Sequence, residues 1–271
     1  MVFFSIWLIY EFDTLYIFHL KTTIITKAAI KNINTSICLS NAIYYLTNGL
    51  VIGVKIMMIK RISCTVKEGK RDIFYEYQKQ WEPISKVKGF LGQVGGWCET
   101  QPLTACIYSF WESQTDYQYF MMEVHDRIYV NSGQESTCTS IDVNLFQEKL
   151  RMSGLEDHFV NVLRNGHFFR VTLSQVKEQK TEHFVEMQKK VWNLGMEKAE
   201  GMLGGTFAFS QKESNYFLVL TGWKSENLHQ KYIENDFPEL LKTAKPKNDV
   251  LELTGEKFNV EEAWRVCPTV L

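Results

Sequence analysis

The stretch Gly89 to Asp126, GFLGQVGGWCETQPLTACIYSFWESQTDYQYFMMEVHD, returns in altered form as Gly201 to Phe237, and this recurrence constrains the fold more than any other feature. Upstream of it, Phe74, Tyr77, Trp81 and Ile84 are followed at a constant offset of 110 by Phe184, Met187, Val191 and Leu194. After a turn two residues longer, Gly89, Leu91, Gly92, Trp111, Ser113 and Gln118 find Gly201, Leu203, Gly204, Trp223, Ser225 and Gln230 at an offset of 112. Self-similarity at a fixed period marks a duplicated structural unit. The chain must therefore fold into something that two related copies can build together.

Each copy reads as strand, helix, strand, strand, helix, strand. Ile62, Cys64 and Val66 share one face of a period-2 pattern, and Phe74, Tyr77, Trp81 and Ile84 form the apolar stripe of a helix. The next strand places Leu91, Gln93, Gly95 and Trp97 on one face, and its glycines leave room for something large to approach. Thr104 to Trp111 alternates as its antiparallel partner. Ser113 and Asp116 then have capping-box spacing ahead of the helical series Tyr117, Phe120, Val124, Ile128. Ile141, Val143 and Leu145 give a fourth strand. In the second copy, Phe168 to Val176 supplies the first strand and Asp249 to Leu253 the last, with a short terminal helix carrying Trp264. The expected fold class is α+β: two tandem ferredoxin-like βαββαβ repeats.

The expected boundaries are an N-terminal extension at 1–57, a first repeat at 58–147, a helical connector at 148–165 with apolar Leu150, Leu155, Phe159 and Leu163, and a second repeat at 166–271. Residues 1–57 contain no Arg and no Pro and are rich in Ile, Tyr, Asn and Thr, so they are expected to lie outside the native fold. Their first apolar run lacks the preceding positive charge of a signal peptide. Four asparagines interrupt the charge-free run from Asn32 to Val54, which argues against a membrane span.

A formal charge of -1, without a basic stripe, argues against nucleic acid as a partner. The six cysteines show no metal-binding or C-x-x-C spacing, as expected of free thiols in a reducing cytoplasm. Hydrolase, zinc-protease and phosphate-loop motifs are absent.

The strand-terminal Trp111-Glu-Ser113 and Trp223-Lys-Ser225, the helix after each and the glycine-containing strand before each resemble the dimeric α/β-barrel superfamily, whose best-known branch is the antibiotic biosynthesis monooxygenases. More closely, KRISCTVKEGK, GFLGQVGGW and FWES in tandem arrangement resemble YdbC-like proteins, a family without an established reaction. The resemblance covers residues 58 to 265. It implies two four-stranded sheets packed into a barrel, formed here by the two repeats pairing within one chain.

The copies differ most at His125-Asp126, which align with Phe237-Pro238. His125 and Asp126 are accordingly the candidate catalytic residues: a histidine beside a cleft moves protons near neutral pH, whereas the plainer reading is a helix-end residue. Trp97, Trp111, Tyr117, Phe120, Trp223 and His229 are the candidate ligand-binding residues, each of the tryptophans serving as pocket wall or as core. No metal or resident cofactor is expected. Haem is the group the resemblance would admit, through His125 with Tyr117 or Phe120, although the first strand offers Ser63 where an asparagine would stand. The implied function is binding of a small aromatic or polycyclic molecule, with cofactor-independent, monooxygenase-like oxygenation as the enzymatic reading. The alternative is a non-catalytic ligand-binding or stress-related module.

Overall fold

The computed structural model describes residues 55–269 and, before them, a separate two-residue pairing of Leu46–Thr47 with Leu50–Val51. The expectations for the rest of the N-terminal segment lie outside the described residues.

The first repeat comprises β1 (Met58–Val66), α1 (Arg71–Gln78) continued by a 3-10 segment (Lys79–Lys86), β2 (Phe90–Trp97) and β3 (Thr104–Trp111). Helix α2 (Gln114–Phe120) passes through a π-helical turn (Met121–His125) into α3 (Asp126–Ser132), and β4 (Cys138–Met152) completes the unit. After α4 (Phe159–Asn165), the second repeat runs through β5 (Phe168–Val176), α5 (Thr181–Met187), a π turn (Gln188–Trp192), α6 (Asn193–Met196), β6 (Met202–Ser210), β7 (Tyr216–Trp223), α7 (Glu226–Asn235), α8 (Phe237–Ala244) and β8 (Val250–Asn259). The strand order β8-β5-β7-β6-β4-β1-β3-β2 contains the ferredoxin-like order 4-1-3-2 twice, all antiparallel.

Strand β4 makes one seam between the repeats. Its first part pairs with β1 and its last residues, from Phe146, pair with β6. This ladder overrides the helical spacing of Leu150, Leu155, Phe159 and Leu163: residues 148–152 are strand, Leu155 is exposed, and only Phe159–Asn165 of the expected connector is helical. The other seam is closed by the end of β8 and the chain beyond it: Glu99 N donates to Lys257 O, Glu261 N to Gly95 O, and Gln93 and Val266 exchange two backbone bonds at 2.8 and 3.0 Å. The sheet thus curls into a barrel. Its interior is a shared core of Ile59, Phe110 and Phe146 from one repeat and Phe169, Leu220 and Phe258 from the other.

The recurrent glycines have a common explanation. Gly92 and Gly204 sit at matching ladder irregularities with φ of 147° and 153°. A Cβ on Gly92 would stand 2.9 Å from Leu163, and one on Gly204 2.8 Å from Val162, so both repeats open a gap for adjacent residues of α4. Gly95 and Gly96 are not repeated. Trp264 lies over Gly95, and Asn259 O would be 2.1 Å from a Cβ at Gly96. The large group that the glycine strand admits is the C-terminal part of the chain itself.

Burial recurs in α1 and α5, where Phe74 and Phe184, then Gln78 and Gln188, face inward. Leu194 departs from the expected stripe and is 50% exposed, because the π turn shifts the helix register ahead of it. Among the described residues no helix is long and apolar enough to cross a membrane.

Candidate functional site

Between the helices and the outer face of the second sheet lies a cavity of about 160 Å³, partly open to solvent. Its floor is strand: Arg170, Thr172 and Ser174 from β5, with Val219, Thr221 and Trp223 from β7. Period-2 geometry puts these residues on one face, and each of the two strands contributes three of them. The walls are Phe184, Trp192, Met196, Tyr232, Phe237 and Leu241. The π turn brings Trp192 to the wall in place of Val191, which the repeat alignment aligns with Trp81. A cavity of about 150 Å³ is enough for one benzene ring.

Arg170 is the only charged residue of this lining. Among the described residues it makes no hydrogen bond or ion pair, and its guanidinium lies 5.4 Å from the Phe237 ring centroid. Burial pushes its pKa down, opposed by neighbouring Tyr232. A cation–π contact contributes about 0.5–2 kcal/mol, against several kcal/mol for taking a cation fully out of water. The contact with Phe237 therefore offsets only part of what this half-buried charge has lost. Trp223 Nε1 donates to Thr221 Oγ1 at 2.9 Å, as Trp111 Nε1 does to Ser109 Oγ at 3.3 Å in the first repeat.

Of the residues predicted from sequence, Trp223 alone lines this cavity. His229 stands behind it, 3% exposed, against Phe168, Trp223 and Tyr232. Burial first, then the charges of Arg170 and Lys257, push its pKa down to about 3, and its Nε2 is buried without a partner.

The remaining predicted residues lie in the first repeat, in two separate clusters. Trp111, Tyr117 and Phe120 pack together with Trp81, and Trp111 stacks on Phe120 at 4.6 Å. The His125 ring is 5.5 to 5.6 Å from the rings of Trp81, Phe120 and Tyr129, while its Nδ1 is 3.0 Å from the exposed carboxylate of Asp126. Burial, then the charge of Lys60, lowers the His125 pKa and keeps it neutral near pH 7. Trp97 belongs to the other cluster, between Phe74, Trp264 and the Arg71 guanidinium. Trp97 and Trp111 lie at opposite ends of the β2–β3 hairpin and serve as core in separate clusters.

These contacts do not suit haem. The second-repeat cavity is of single-ring size, and His125 is enclosed by rings in the other repeat rather than facing that space. Among the described residues no group of three or more His, Cys, Asp or Glu is placed to hold a metal ion.

Sequence reasoning missed Lys60 and Arg170, which occupy the same position of β1 and β5. The signal was present. The alternation that puts Ile62, Cys64 and Val66 on the helix-covered face also puts Lys60 there, and the offset of 110 carries it to Arg170. Lys60 is 5% exposed, its Nζ 5.9 Å from the Tyr117 and Phe120 centroids and 3.7 Å from Met121 Sδ.

The barrel is built from two ferredoxin-like repeats held in one chain. Residues 58–146 match the family described as a domain of unknown function, DUF4937. The chain belongs to the family of the uncharacterized protein YdbC of Bacillus subtilis strain 168, to which it is 40% identical over 94 residues, 34% of this chain and 79% of YdbC. Its fold is similar to that of a presumed monooxygenase from Lactobacillus acidophilus, with a TM-score of 0.61 and 13% identity over 79% of this chain and 97% of that one. A presumed monooxygenase from Fusobacterium nucleatum gives 0.63 and 12% over 76% and 93%. An anthrone oxidase-like protein gives 0.56 and 12% over 76% and 91%.

Proposed function

We propose that the chain binds a flat, mainly apolar small molecule in the second-repeat cavity, against Trp223, Phe184, Tyr232 and Phe237. The observation that carries this reading is an aromatic-walled space of about 160 Å³ with a polar strand floor, at a position where the fold leaves room between sheet and helices. Ligand pockets commonly combine such apolar walls with a few fixed polar groups. The first repeat serves as the packing partner that completes the barrel. Its free thiols suit a reducing compartment, and we place the protein in the cytoplasm.

Turnover is the second reading. The aromatic walls would shield a bound enolate while it reacts with dioxygen, and the fold's likeness to an anthrone oxidase-like protein supplies the substrate to try. No histidine or carboxylate lines the cavity, so the chain supplies no ordinary general base there and binding without turnover is the better-supported reading.

Calorimetric titration with naphthalene-2-methanol tests the binding reading. Saturable binding by wild type and its loss in Val219→Phe, with an unchanged melting profile, is the expected result. No binding by wild type of either naphthalene-2-methanol or its carboxylate counterpart 2-naphthoate, or binding indifferent to Val219→Phe, would overturn it. Oxygen uptake with anthrone as substrate separates turnover from binding.

A further inference from the structure

The two repeats place a cation at the same strand position and treat it differently. Lys60 is sealed beneath Tyr117, Phe120 and Met121. Arg170 faces the cavity, and the residues after it on the same face, Thr172 and Ser174, replace Ile62 and Cys64 of the first repeat. Neither hydroxyl makes a hydrogen bond among the described residues. A polar floor has thus been laid beside a cation in one repeat only.

No acidic residue lines the cavity. Lys257 pairs with Arg170 in the β5–β8 ladder, so its side chain leaves the sheet on the same face, and it is the one salt-bridged to Glu99, at 3.2 Å. The guanidinium of Arg170 is left with Phe237, Tyr232 and the neutral His229 around it. A planar guanidinium matches a carboxylate with two parallel hydrogen bonds, a geometry that lysine does not reproduce.

We infer that this cavity selects an anionic aromatic compound, a planar ring carrying one carboxylate or similar acidic group, with Arg170 receiving the charge and the ring lying among Trp223, Phe184 and Tyr232. The inference rests on the proposal that the cavity is a binding site and adds the chemical class of its ligand. The cavity sets the size: one ring fills it, and a second must extend through its mouth.

The test compares 2-naphthoate with naphthalene-2-methanol, matched in shape and differing in charge, by calorimetry at pH 7 and low salt. Wild type is expected to bind the carboxylate at least about tenfold more tightly. Arg170→Gln is expected to weaken 2-naphthoate by about tenfold to a hundredfold and naphthalene-2-methanol by far less, no more than about threefold, while Arg170→Lys keeps part of the preference. Equal affinity for both probes in wild type, or an equal loss of both in Arg170→Gln, overturns anion selection and leaves the binding site standing. Failure of both probes to bind wild type overturns the binding site, and anion selection with it.

Discussion

Arg61 of β1 and Glu256 of β8 form an ion pair inside the barrel although their strands lie far apart in the sheet order. Glu256 also accepts from the Tyr108 hydroxyl, and Arg61 reaches Asp142 at 2.6 Å near the surface. Burial first, and then the Glu256 carboxylate, raise the Tyr108 pKa and keep it a donor. The pair ties the two repeats through the core they share.

Breaking one side of that pair strands a buried charge. Glu256→Gln is expected to destabilise the protein by about 3 kcal/mol, whereas Arg61→Met combined with Glu256→Leu should come within about 1 kcal/mol of wild type. Urea unfolding of the three proteins measures both. Equal costs for the single and double variants would refute this account of the pair.

Trp264 is fully buried against Phe74, Tyr75 and Trp97, and its Nε1 donates to Tyr75 O at 3.2 Å. Trp264→Ala should cost about 3–5 kcal/mol, because removing a fully buried indole leaves a cavity among Phe74, Tyr75 and Trp97. Thermal unfolding reads the loss, and ligand binding in the second repeat should persist at temperatures where the variant is folded.

His229 should make stability fall with acid. Its folded pKa, about 3, is below the unfolded value of about 6.5, so the unfolded chain binds the extra proton throughout that interval. Stability is therefore full above pH 6.5 and declines as pH falls towards 3, by about 2–3 kcal/mol at pH 4.5. His229→Gln should remove this part of the slope in urea midpoints taken between pH 7 and 4.5. Parallel slopes in the two proteins would show that the histidine is not responsible.

Lys60 should act with the same sign at alkaline pH. Burial pushes its pKa down to about 8, while the unfolded side chain holds its proton to about 10.4. Below pH 8 the folded state bears the whole cost of the buried charge, and between 8 and 10.4 stability rises as that proton leaves. Lys60→Met should raise stability at pH 7 by about 2 kcal/mol and flatten the alkaline rise. A destabilised Lys60→Met, by chemical unfolding at pH 7, would mean that the ammonium has a favourable role there.

The duplication, the order of elements in each repeat and the N-caps were legible because they depend on local rules. Ser113 and Ser225 do accept from the backbone three residues on, at 3.2 and 3.3 Å. Repeat comparison directed attention to His125, Tyr117 and Trp97, the side chains peculiar to the first copy. The cavity over Arg170 lies in the second repeat. Residues peculiar to one copy can equally well be those that fill it, as Trp81 and His125 do in the first repeat, where Trp264 from the C-terminal part of the chain adds to the packing.

What the sequence by itself determined, then, was two ferredoxin-like units with matching glycines, caps and strand-terminal tryptophans, since periodicity and backbone preference act over a few residues. Tertiary structure decided which unit keeps a cavity between its sheet and its helices. Trp264 is 153 residues along the chain from Trp111 and reaches the first repeat only once the barrel has closed, and the volume left over Arg170 depends on side chains from strands β5, β7 and β8 and helices α5 to α8, which no local pattern brings together.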